Sequence, residues 1–81
     1  LYANTGGNSN IAIGRDALLA NTTGIQNVAI GTSAVASNTI GTNNIGVGYQ
    51  ALNANTTGIQ NTAVGTNALQ SNTIDVQQRY Y

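Results

Sequence analysis

The run Asn27-Val28-Ala29-Ile30-Gly31-Thr32-Ser33-Ala34-Val35-Ala36-Ser37 decides how this chain folds, because its first five residues return three times. Seventeen residues before it stands Asn10-Ile11-Ala12-Ile13-Gly14. Seventeen after it stands Asn44-Ile45-Gly46-Val47-Gly48, and a further seventeen on comes Asn61-Thr62-Ala63-Val64-Gly65. There is no insertion or deletion. Residues 1–9 are the tail of an earlier unit, since Leu1, Ala3, Asn4, Thr5 and Gly7 align with Leu18, Ala20, Asn21, Thr22 and Gly24. A repeat this regular is one structural unit that buries its apolar face by stacking on its neighbours.

Reading down the repeat assigns each position a role. Position one is always Asn (Asn10, Asn27, Asn44, Asn61), and position five is always Gly (Gly14, Gly31, Gly48, Gly65). Between them, β-branched residues at two and four flank a small residue, the period of two expected of a strand. Glycine at five ends that strand, because it tolerates positive φ. Positions six and seven vary most (Arg15-Asp16, Thr32-Ser33, Tyr49-Gln50, Thr66-Asn67) and read as an exposed turn. A second apolar segment follows at eight to eleven, with an invariant Ala (Ala17, Ala34, Ala51, Ala68) and then Leu18, Val35, Leu52 or Leu69. Ala and Leu favour a helical turn there, but its shortness and Val35 favour a strand or extended turn. Each unit closes with an Asn-Thr pair and turn chemistry: Asn21-Thr22, Asn38-Thr39, Asn55-Thr56 and Asn72-Thr73.

A longer period of 34 residues is superimposed, because residues 20–27 recur identically at 54–61. Thr23 with Ile25 becomes Ile40 with Thr42, then Thr57 with Ile59. Bulk moves while its sum stays constant, which reads as volume compensation in a close-packed interior.

Composition narrows the fold to a thin one. The 81 residues contain no Phe, Trp, Met, Cys or Pro, and their apolar content is Ile, Leu, Val and much Ala. Such a chain fills a narrow core and not a thick one. The expected fold is all-β: a parallel β-roll or β-solenoid of 17-residue coils, left-handed and assembled side by side as a homotrimer. Its solenoid spans 1–77, as the partial unit 1–9 and units from 10, 27, 44 and 61. Residues 78–81 (Gln78-Arg79-Tyr80-Tyr81) break the pattern and read as a cap or junction over an open strand edge. Stacked strands about 4.8 Å apart turn each invariant column into a ladder. The Asn columns, Asn10, Asn27, Asn44, Asn61 and Asn21, Asn38, Asn55, Asn72, are expected to bond amide to amide up the stack. The Ala column points to a close opposing surface, either the far wall of the coil or another chain.

The quoted run resembles the head repeats of trimeric autotransporter adhesins, as do Asn10-Ile11-Ala12-Ile13-Gly14 and Asn61-Thr62-Ala63-Val64-Gly65. Gly48-Tyr49-Gln50-Ala51-Leu52 followed by Asn55-Thr56-Thr57-Gly58 is similar to repeats of phage and viral tail fibres. The resemblance implies a left-handed parallel β-roll, three chains side by side, on a surface-exposed fibre that binds host or matrix. The adhesin head unit is typically shorter than seventeen, and the extra residues here fall in the Asn-Thr-x-Gly turn.

Catalytic chemistry has little to draw on. There is no His or Cys, and the two carboxylates, Asp16 and Asp75, lie in different units. No acid–base pair or metal cluster can be assembled, so we expect no enzyme, no cofactor and no metal. Charged residues are 5% of the chain, against roughly 25% in an average domain. A nucleic-acid partner is not expected without clustered cations. Nor is membrane insertion, since no apolar run approaches the roughly 20 residues a spanning helix requires. Asn21-Thr22-Thr23 and Asn55-Thr56-Thr57 fit the N-glycosylation pattern, making Asn21 and Asn55 candidate acceptors, although turn and ladder roles explain both.

The expected function is a structural or adhesive fibre segment on a cell or virion surface or outside the cell. Its partners are further copies of itself, and a host receptor or surface glycan. One alternative is a self-assembling filament joined head to tail, with Tyr80 and Tyr81 at the joint. Another is an ice-binding solenoid using its threonine ranks, which Ile40 and Ile74 interrupt.

Overall fold

A computed structural model describes residues 7–70, together with the backbone of Arg79–Tyr80. Five short strands form one parallel sheet in sequence order: β1 (Ile11–Ile13), β2 (Val28–Ile30), β3 (Ile45–Val47), β4 (Thr62–Val64) and β5 (Arg79–Tyr80). Their register follows the repeat. Ile11 lies beside Val28, Val28 beside Ile45, Ile45 beside Thr62, and Thr62 beside Arg79. No helix forms among the described residues. This is an all-β arrangement of one coil per repeat, consistent with a β-roll or solenoid. The pairing reaches Arg79 and Tyr80 with the same seventeen-residue offset, so the backbone keeps the repeat where the side-chain pattern breaks. The side chains of the expected joint at Tyr80 and Tyr81 lie outside the described residues, as do Asn72 and Asp75.

Three-residue strands make few ladder bonds, but the bonding between coils does not stop with them. Leu18 N–H donates to the Ala34 carbonyl at 3.0 Å, Ala20 to Ala36 at 3.0 Å, and Thr22 to Thr39 at 3.0 Å. The backbone is thereby satisfied around much of the coil, as a buried backbone must be.

The second apolar segment is not a strand, and it is not a helix either. It is a run of overlapping turns: Ala17 N–H to the Gly14 carbonyl, Leu19 to Asp16, and Asn21 to Leu18. Residues of positive φ alternate along it, at Asp16 (62°) and Leu18 (53°), and again at Ser33 (59°) and Val35 (52°). The reason lies in what must be buried. Ala17 and Leu18 are consecutive, yet 2% and 0% exposed. A pleated strand sends consecutive side chains to opposite faces. Alternating φ turns both inward.

The core is small. It consists of Ala17, Leu18, Ala29, Ala34, Val35, Ala51, Leu52 and Ala63, with Ala12, Ala68 and Leu69 packed against it. The invariant alanines therefore meet the far wall of their own coil. Of the strand residues, the middle one points inward (Ala12, Ala29, Gly46, Ala63), while the β-branched neighbours on either side face out.

The exchange at positions fourteen and sixteen does not lie in the interior. Thr23, Ile40, Thr57 and Ile59 are exposed, with Ile25 and Thr42 half-buried. A buried match of shape, not of summed volume, links position nine to position three of the next coil. Leu18 precedes Ala29 and Leu52 precedes Ala63, but Val35 precedes Gly46. A Cβ on Gly46 would stand 2.6 Å from Val35 Cγ2. Gly46→Ala alone is expected to cost about 1–3 kcal/mol as an overpacked core. Val35→Leu with Gly46→Ala restores the Leu–Ala pair and removes a β-branched residue from left-handed φ. The double variant should then be more stable than the parent. Denaturant midpoints in a double-mutant cycle measure this, and additive effects would show that the two sites do not share space.

Candidate assembly surface

Asn21, Asn38 and Asn55 of one column and Asn27, Asn44 and Asn61 of the other are buried, Asn10 is half-buried, and the columns bond in different ways. Asn21, Asn38 and Asn55 form an amide-to-amide ladder. Asn38 Nδ2 donates to Asn21 Oδ1 and Asn55 Nδ2 to Asn38 Oδ1, each at 2.9 Å. In the other column the side chain serves the backbone. The N–H of Asn27, Asn44 and Asn61 donates to Oδ1 of the Asn one coil before, at 2.9, 2.9 and 3.1 Å. The columns meet at position fifteen. The Gly24 carbonyl accepts both Asn10 Nδ2 and Asn21 Nδ2, at 2.9 and 3.0 Å. Gly41 does the same for Asn27 and Asn38, and Gly58 for Asn44 and Asn55. Among the described residues no buried side-chain polar atom lacks a partner. The sequence marked the columns, but nothing in it marked the glycine carbonyl as their common acceptor.

In the folded coil the two candidate glycan acceptors, Asn21 and Asn55, take the turn and ladder roles. Both are 0% exposed, and the Nδ2 that a sugar would occupy donates to the Gly24 carbonyl from Asn21, and to Asn38 Oδ1 and the Gly58 carbonyl from Asn55.

The position-five glycines hold φ of 120° to 127° at Gly14, Gly31, Gly48 and Gly65. They also stack closely: a Cβ on Gly31 would stand 2.7 Å from the Gly48 carbonyl oxygen. Both conformation and space require glycine there.

Outside, the distribution of bulk is inverted. The described residues hold seven isoleucines (Ile11, Ile13, Ile25, Ile30, Ile40, Ile45, Ile59) and none is buried. Ile11 is 51% exposed and Ile13 57%. Together with Val28, Ile30, Ile45, Val47 and Val64 they form a continuous apolar sheet face, with Thr62 its one polar member among the described side chains. A chain that hides alanine and shows isoleucine presents an apolar patch of the kind that marks candidate interaction surfaces. Arg15, Asp16 and Tyr49 lie apart from it on the exposed turn. Among the described residues there is no pocket and no group of three His, Cys, Asp or Glu that could hold a metal, and no helix is long and apolar enough to cross a membrane.

No family model, curated protein or solved structure matches the chain.

Proposed function

We propose that this chain is a segment of a surface-exposed structural or adhesive fibre: a left-handed coil that assembles side by side as a homotrimer through its apolar sheet face. The observation that carries the reading is the unburied isoleucine. The occupant that fits the face is another copy of the same chain. The strands rise by about 4.8 Å per coil, so an identical neighbour offers side chains at the same spacing along the whole length. Among the described side chains the face, from Ile11 to Val64, bears no charge that a different partner would need to match.

A receptor or surface glycan would meet the outer turn, where Arg15, Asp16 and Tyr49 are exposed and the repeat varies most. An ice-binding face would need an unbroken threonine rank; the exposed one, Thr23 and Thr57, is interrupted by Ile40, and the unbroken one beside it is engaged between coils. The Thr22 hydroxyl donates to the Thr39 carbonyl at 3.2 Å and the Thr39 hydroxyl to the Thr56 carbonyl at 3.3 Å, so this rank is committed to holding coils together.

Light scattering combined with electron microscopy of the purified chain tests the proposal. A discrete trimer is expected. Open-ended polymers would replace it with the filament reading, and a monomer at micromolar concentration would remove it.

A further inference from the structure

Two columns on the outside of the coil change in opposite phase, one half-buried at Val28 and Thr62. Position two of successive coils reads Ile11, Val28, Ile45, and position fourteen reads Thr23, Ile40, Thr57. Each coil has one isoleucine between the two positions, never two and never none, and the sequence continues the pattern with Thr62 and Ile74. Position sixteen (Ile25, Thr42, Ile59) runs in phase with position two and provides no such complement. Constant summed bulk is what two surfaces in contact require, because packed interfaces tolerate neither a gap nor an extra methylene well. Within one chain both columns keep apolar surface free, with Ile11 51% exposed and Ile40 54%.

We propose that position two of one copy packs against position fourteen of the next copy at the same height, so that Val28 receives Ile40. This rests on the side-by-side assembly proposed above and specifies it. The contact joins two different surfaces, so it is heterologous. Repeated around an axis it closes a ring, whereas a twofold dimer would pair one surface with itself. Copies lie parallel because rotation about a single axis keeps every chain pointing the same way, and in register because a shift of one coil would set isoleucine against isoleucine and threonine against valine.

The chain has no cysteine, which makes thiol bridging a clean test. Val28→Cys with Ile40→Cys in the full chain is expected to give bridged trimers under oxidation or with a short bismaleimide, and either single variant much less. Bridging confined to one chain, bridging that stops at pairs, equal bridging by Val28→Cys alone, or no bridging would each overturn the proposal. A second measurement avoids reliance on cysteines. Val28→Ile and Ile40→Thr should each weaken assembly about tenfold, and the double exchange should recover most of that loss. Additive losses would instead mark the alternation as a relic of duplicating a 34-residue unit. A parental chain that is monomeric by light scattering would sink the assembly itself; a parental trimer that fails these tests would sink this pairing alone.

Discussion

Asn38→Asp is expected to destabilise the coil by about 3–5 kcal/mol at neutral pH, a large share of the roughly 5–15 kcal/mol that holds a domain together. Asn38 is 0% exposed and donates to Asn21 Oδ1 and the Gly41 carbonyl. A carboxylate reverses this, setting negative charge against two acceptors in a place that water does not reach. Burial raises the folded-state pKa of the new carboxyl above its unfolded value of about 3.9. The penalty is therefore full above the folded pKa and shrinks as pH falls through it, when the acid regains a donor. Denaturant midpoints at pH 7 and pH 4 should converge on the parent at the lower pH. Asn43→Asp, exposed and with φ of 58°, should be nearly silent at both. An Asn38→Asp chain as stable as the parent at pH 7 would show that the ladder contributes little.

Ile30→Asp should abolish assembly while leaving the coil intact. Ile30 lies mid-face in β2 and is half-buried in the single chain, so the carboxylate remains solvated in a monomer. In the proposed trimer each copy would bury one unpaired charge. At several kcal/mol per ion, a weakening of about a thousandfold or more is expected. Light scattering should report monomers, and circular dichroism should report an unchanged fold. Loss of the fold would mean that the face stabilises the single chain, and an unaltered trimer would move the interface elsewhere.

The sequence carried the architecture because a repeat exposes its constraints by repetition. The period of seventeen placed the strands at Ile11–Ile13, Val28–Ile30, Ile45–Val47 and Thr62–Val64, with glycine at the end of each, and the two asparagine columns were visible as columns. Three things were not legible. Alternation in Ile-Ala-Ile shows that the two kinds of side chain lie on opposite faces, but not which face is inside. That depends on the distance to the opposite wall, and this coil is narrow enough that alanine fits where isoleucine does not. The second apolar segment looked extended because propensity is local, whereas burying both Ala17 and Leu18 is a demand of the whole cross-section. The pairing of Val35 with Gly46 joins residues eleven apart in sequence that meet only when one coil lies on the next. What the sequence determined by itself was therefore everything that recurs along the chain. What the tertiary structure alone decided was everything set across it, because the width of a coil is a property of the closed turn and not of any segment within it.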